Sequence, residues 1–489
     1  MRKVSIDPIT RLEGHGKIEI FVNDAGEVAN VYFQVPELRG FERFCVGRPV
    51  EELARITPRI CGVCPEAHHM ASTKAIDGVF GVEPTPTGRM LRELLYSAFF
   101  AGDHTTHFFV LSGPDFVVGP TADPAERNIL GVIAKVGMEI GGAVIKMRAE
   151  ANELVSLIGG KAIHPVCGLP GGVSKPLSAE ERDRAVEIAK GQVEFAKVAL
   201  QIFDDVVLAN ADYVDLIKSD AFTHETYYMG TVDESNKVNF YDGKIRVVDP
   251  AGKEFLKFEA KDYLSHLAEH VEPYSYLVYP YLKGVGWKGF VDGKDSGVYR
   301  ASPLSRLNAA DGMATPLAQA EYERMYATLG GKPVHATLAT HWARLVELMY
   351  AAERTLDLAQ DPEIINPDVR KIPTGIVGEG VGCVEAPRGT LYHHYKTDDK
   401  GIVTHVNLIV GTTNNNAAIS MSLKKAAMGL IKGGTEISEG TLNMIEMAFR
   451  AYDPCFGCAT HTLPGEMPLE VTVKSERTRE VITSVKRFM

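Results

Sequence analysis

Arg59-Ile60-Cys61-Gly62-Val63-Cys64-Pro65-Glu66-Ala67-His68 lies near one end of this chain, and Asp453-Pro454-Cys455-Phe456-Gly457-Cys458-Ala459-Thr460-His461 near the other. Each is a Cys-x-x-Cys pair with a histidine shortly after. Four thiolates in two pairs make a tetrahedral sulfur cage for a soft metal. The spacing decides the rest. A zinc ribbon sets its pairs roughly 15–20 residues apart, whereas 390 residues separate Cys64 from Cys455. A site built from these pairs cannot be a local knuckle. It must be assembled in the middle of a large fold, from both ends of the chain.

Around these motifs the chain reads as an ordinary soluble enzyme. Its 489 residues suggest about three domains by length alone, with ample material for a large core. Hydrophobic residues make up 45% and charged residues 24%, within the globular range. The net charge of −11, without a basic block, argues against nucleic acid as a partner. No uninterrupted apolar run is long enough to span a bilayer. Met1 to Asp7 lacks the apolar region of a secretory signal, so a cytoplasmic location is expected. Seven cysteines, an odd number, argue for a reducing compartment rather than a disulfide framework. Cys45, Cys167 and Cys383 have no partner spacing and read as small buried hydrophobes.

Hydrophobic periodicity predicts a mainly α protein with β elaborations (α+β) around a large helical-bundle core. Helical patterns run from Arg89 to Leu111, Asn128 to Leu157, Ala179 to Asn210 and Leu317 to Leu358. Lys17 to Val35 reads as a β-hairpin turning at Asn23-Asp24-Ala25-Gly26. Residues 215–300, rich in Tyr, Gly and Asp, read as a β-rich elaboration rather than a separate domain. Leu442, Ile445, Phe449 and Tyr452 mark one face of a helix that delivers the second cysteine pair. The first pair precedes a helix: Pro65 suits its first position and Glu66 its first turn. Cys64 then lies at a helix N-terminus, which favours thiolate.

On ligand count alone, a structural zinc or an iron–sulfur cluster would fit four cysteines. The two motifs in this order resemble the paired signatures of the nickel–iron hydrogenase large subunit, and the likeness extends from Arg11 to His461. Arg11-Leu12-Glu13-Gly14-His15, Arg39-Gly40-Phe41-Glu42, Glu385-Ala386-Pro387-Arg388-Gly389 and Val410-Gly411-Thr412-Thr413-Asn414 resemble further family segments. Gly411 stands where a proline is common. The resemblance implies that Cys61, Cys64, Cys455 and Cys458 ligate nickel, with Cys64 and Cys458 also bridging to an iron that carries one carbonyl and two cyanides. It places Pro387, Arg388 and Thr412 around those diatomics. Asp115 and Asp453 are expected to hold Arg388. His68 is expected to reach the sulfur of Cys64, one helical turn back. Glu42 and His461 are implied magnesium ligands.

The implied reaction is reversible heterolytic cleavage of H2. Cys455 takes the proton and Glu13 carries it onward, its carboxyl pKa raised by burial. The family passes electrons to iron–sulfur clusters in a small subunit, and this chain has no further cysteine set for clusters. Within the family the sequence is most similar to cytoplasmic, bidirectional enzymes of the F420-non-reducing kind. Those hand electrons, through an electron-transfer subunit, to a flavin-containing, electron-bifurcating heterodisulfide-reductase complex; F420 or NAD(P) is the alternative acceptor. The implied domain is 1–461. Residues 462–489 are an expected extension, cut after His461 by a maturation protease working with a chaperone; the other reading is a native terminal strand around Leu469 to Val473. Two rivals share some features. The quinone-reductase subunit of respiratory complexes lacks the metal cysteines, and a non-catalytic zinc assembly protein does not need Glu13, Glu42, Arg388 and His461 together.

Overall fold

A computed structural model describes residues 2–433, 437–460, 469–474, 478 and 481–487. Strands β1 (Arg2–Ile6), β2 (Lys17–Val22) and β3 (Val28–Gln34) form an antiparallel sheet in that order. The expected hairpin is β2–β3, and β1 adds an edge strand that periodicity did not announce. On β2, Ile18, Ile20 and Val22 point inward by strict alternation.

The cage-bearing helix α1 (Pro65–Phe80) starts with Cys64 at its N-cap and Pro65 at its first position. It ends at Gly81, whose φ of +60° is the left-handed stop glycine permits. The bundle follows: α2 (Pro86–Thr106), α3 (Met138–Gly159) and α4 (Ala179–Phe203). Ser178 and Glu181 form a reciprocal capping box at the start of α4. The β-rich stretch holds β4 (Tyr227–Val232), β5 (Lys244–Val248) and β6 (Glu254–Phe258), with Tyr299–Arg300 pairing parallel to β4. β7 (Leu267–Val271) and β8 (Val278–Leu282) make a hairpin beside it. Helix α5 (Thr340–Gln360) packs against α2 and α4 through the centre of the molecule. Then come the antiparallel strands β9 (Glu379–Ala386), β10 (Gly389–Thr397) and β11 (Val403–Ile409), and helices α6 (Asn416–Leu430) and α7 (Glu439–Arg450).

Two long helical patterns are broken in the structure. The 128–157 pattern is Ile129–Val136 and α3, parted at Gly137 with φ +93°. The 317–358 pattern is Pro316–Leu329 and α5, parted at Gly330 and Gly331, both at positive φ, with Pro333 following. Apolar spacing continues across each break because both halves face one core; the glycines end the helix. At two further places the helix changes pitch without breaking: α2 and α4 run on into π-helical turns at His107–Ser112 and Asp204–Leu208.

The principal core joins α1, α2, α4 and α5 and includes all four motif cysteines. The β4–β6 sheet shares a smaller core with β9–β11, through Tyr227, Met229, Cys383 and Tyr392. The β-rich stretch is therefore seated on the strands beside α1. α1 lies so close to β9 that a Cβ on Gly382 would stand 2.0 Å from Ala71 O. Leu469–Lys474 and Val481–Arg487 pair antiparallel.

Candidate metal centre

Local backbone aims the first pair. Cys61 follows the turn Thr57–Ile60 in extended conformation, and its Sγ accepts from the N–H groups of Val63 (3.1 Å) and Cys64 (3.3 Å). The second pair follows α7. Its apolar face (Ile445, Phe449, Tyr452) is buried against α6 and the N-terminal sheet. Asp453 then adopts φ +53° and reverses the chain into Cys455. Cys455 N donates to Thr412 Oγ1 (3.0 Å), and Phe456 N donates to Glu13 O (3.0 Å). The segment is thereby laid beside the N-terminal motif.

The four sulfurs converge. Cys61 and Cys455 lie 3.2 Å apart, Cys64 and Cys458 3.4 Å, and Cys455 and Cys458 3.0 Å. All four fall within 4.8 Å of one another, and each residue is at most 2% exposed. Hydrogen bonds from the Cys455, Cys458 and Cys64 sulfurs hold the Cys61 thiol well below its ordinary pKa, whereas burial pushes Cys455 and Cys458 well above theirs. A dry cage thus favours one thiolate and resists more. Only a cation at its centre makes four thiolates compatible with that burial, which is the donor set a soft divalent metal requires.

Glu13 stands at the edge. Cys455 Sγ donates to Glu13 Oε2 at 3.0 Å, and Gly457 N donates to the same oxygen at 2.8 Å. Burial, then the neighbouring Cys61 charge, raises the Glu13 pKa above the ordinary carboxylate value despite those hydrogen bonds. Arg388 is buried above the cage. Its Nε donates to Asp453 O (2.9 Å), and it pairs with Asp453 Oδ2 (2.7 Å) and Asp103 Oδ1 (3.1 Å).

Asp103 replaces Asp115 in the expected pairing. Asp115 lies in a second π-helical turn, Pro114–Val118, beyond the one that extends α2, and is bound instead by Arg11 (2.5 Å), Arg450 (3.1 Å) and Asn443 (3.0 Å). Asp103 continues the buried 91–95–99 stripe of α2, and an acid on an apolar stripe is the signal that could have disclosed it. His68 also departs from expectation. Its Nε2 meets Cys458 Sγ (3.4 Å), the cysteine facing Cys64 across the cage, because its Nδ1 is engaged by His393 Nε2 (3.1 Å).

Pro387 is buried and its carbonyl accepts from Arg306 (3.0 Å). Thr412 is 2% exposed. Glu42 Oε1 accepts from Leu408 N–H (2.7 Å). His461 lies outside the described residues. His104 and His107 are committed to Glu347 (2.9 Å) and to the Arg450 carbonyl (3.0 Å). Among the described residues the four cysteines are the cluster with metal-ligating geometry.

A family profile described as nickel-dependent hydrogenase matches residues 39–131 and 216–461, and one described as HoxL-like matches residues 3–38. The chain is 50% identical to an iron-sulfur subunit of the F420-non-reducing hydrogenase of Archaeoglobus profundus, with 100% of each chain covered. It is 38% identical to the NAD-reducing hydrogenase HoxS subunit beta of Cupriavidus necator, over 96% of this chain and 97% of that one. Among solved structures, an NAD+-reducing [NiFe]-hydrogenase in the H2-reduced state superposes with TM-score 0.86 at 36% identity, covering 94% of this chain and 100% of that one. Matched from end to end by such relatives, the chain belongs to the nickel-dependent hydrogenase family, as a catalytic large subunit.

Proposed function

We propose that Cys61, Cys64, Cys455 and Cys458 hold nickel, that Cys64 and Cys458 are shared with an iron bearing one carbonyl and two cyanides, and that the site cleaves H2 reversibly. When bound, the metals polarise H2 so that it splits heterolytically, yielding in all two protons and two electrons. The protein handles the proton. Cys455 Sγ receives it and Glu13 Oε2, 3.0 Å away, accepts it next. That contact, a raised-pKa carboxyl on a cage sulfur, carries the reading. Thr412 accepts from Cys455 N–H and so keeps its own hydroxyl proton free to donate to a cyanide. Arg388, held on two sides by Asp103 and Asp453, offers a fixed cation beside Pro387. His68 donates to Cys458 and tempers that sulfur's basicity.

Further assignments belong to the same reading. Glu42 and His461 bind Mg2+, a hard ion that keeps several waters. Electrons leave to iron–sulfur clusters of a small subunit; Cys45, Cys167 and Cys383 are buried singly here. The acceptor beyond is a flavin-containing, heterodisulfide-reductase-type complex in the cytoplasm, reached through an electron-transfer subunit. The 50%-identical relative is named F420-non-reducing, which speaks against F420 as the acceptor. NAD(P) is the second reading, favoured by the NAD-reducing relative and structure. The catalytic domain is 1–461, where the family match also ends. Residues 462–489 are removed by a nickel-dependent protease after loading.

An infrared spectrum of the anaerobically purified protein with its partner tests the metal centre. Cyanide and carbonyl bands in the window free of protein absorption are expected, with nickel and iron in the same sample. Zinc alone, without bands, would overturn the assignment. Cys455→Ser should abolish H2 turnover.

A further inference from the structure

The two cysteine pairs come from segments with no covalent link for 390 residues, so their register depends on what bonds both main chains. Arg39 does. Its Nη2 donates to the carbonyl of Ile60, the residue before Cys61, and to the carbonyl of Gly457, the residue before Cys458. Its backbone N–H donates to Thr460 O at 2.7 Å. Side chain and main chain of one residue thus grip both ends of the stretch that carries Cys458. Among the described residues the guanidinium makes no ion pair, so these carbonyls are where its charge-assisted hydrogen bonds go.

Gly457 shows how tight the grip is. A Cβ there would lie 2.5 Å from Arg39 Nη2 and 2.4 Å from Glu13 Oε1. The Gly457 main chain is held at both its polar groups: Glu13 accepts from its N–H (2.8 Å) and Arg39 donates to its carbonyl. We propose that Arg39 is a positioning residue, the dock on which the second cysteine segment closes over the first. A planar guanidinium can serve two carbonyls in one fixed geometry, whereas a lysine ammonium is a point donor on a flexible stem.

The role rests on the reading above that the cage takes nickel, so the test separates the two. Ni2+ is titrated into the full metal-free chain and followed by thiolate-to-metal charge-transfer absorption. Amide hydrogen exchange of 59–64 and 453–460 is measured without metal. Arg39→Ala is expected to weaken Ni2+ binding about 10–100-fold, the usual effect of removing a group that orients metal ligands. It should speed exchange in both segments and leave the thermal midpoint nearly unchanged. Added guanidinium ion should recover part of the binding in Arg39→Ala and none in Arg39→Lys. If Arg39→Ala does not fold, Arg39→Gln, which keeps the length but not the fork, is read the same way. Wild-type affinity and unchanged exchange in the variant would overturn the proposal. So would a general fall in stability that guanidinium does not relieve. Wild-type protein that fails to bind Ni2+ while the variant still exchanges faster would sink the nickel reading and leave the dock standing.

Discussion

Asp103 and Asp115 are both buried acids facing arginines, and they do different work. Asp103 braces the guanidinium of Arg388 beside the cage, while Asp115 joins Arg11 and Arg450 at the root of the second cysteine segment. Asp103→Asn should keep nickel and iron but slow H2 oxidation about 10–100-fold, because it removes one brace from an orienting group. Asp115→Asn should leave the buried Arg450 and the half-buried Arg11 short of counter-charge and lower stability by about 3–5 kcal/mol, read as a fall in the unfolding midpoint with unchanged infrared bands. The reverse pattern would restore the expected Asp115–Arg388 pairing. Glu13→Gln should load metal normally yet slow H/D exchange about 100-fold or more, the scale of a lost acid–base group. Normal exchange would remove Glu13 from the proton path. The cysteines were legible from their motif spacing, and Glu13 only through the resemblance of its segment to the family. Asp103 was marked only as a buried acid by its place on the apolar stripe of α2; its partner was not legible, since nothing in a helical stripe says which arginine an acid will meet.

Among the elements, α1 and β9 set the first cysteine pair by packing backbone on backbone. Gly382 makes that possible, for a Cβ would meet Ala71 O at 2.0 Å and Ala75 N at 2.4 Å. Gly382→Ala should therefore cost about 1–3 kcal/mol by overpacking and reduce metal retention, checked by chemical unfolding and metal analysis on the same preparation. Helix positions were readable from apolar periodicity; their ends were less so. The pattern ran through Gly137 and through Gly330–Gly331 because both flanking helices present apolar faces to one core. Edge strand β1 escaped notice because pairing with β2, rather than its own alternation, makes it a strand. In contrast, Pro65 and Glu66 announced the start of α1 to the residue.

For the whole molecule, a site drawn from both chain ends forces the fold to bring them together, and this was legible from spacing alone. Which acceptor takes the electrons was not, because the motifs around the cage carry no signal of it. Intact mass of the purified complex should show a chain ending at His461, shortened by 28 residues; full-length chains carrying nickel and iron would show that closure needs no cut. The separation of the pairs also has a consequence in time. At ribosomal rates of about 5–20 residues per second, Cys61 and Cys64 wait roughly 20–80 s for Cys455 to be made. A chain stopped before Cys455 lacks half the cage. The metal centre can be completed only once Cys458 has been translated, so the spacing acts as a check that products truncated before it never receive a full set of ligands.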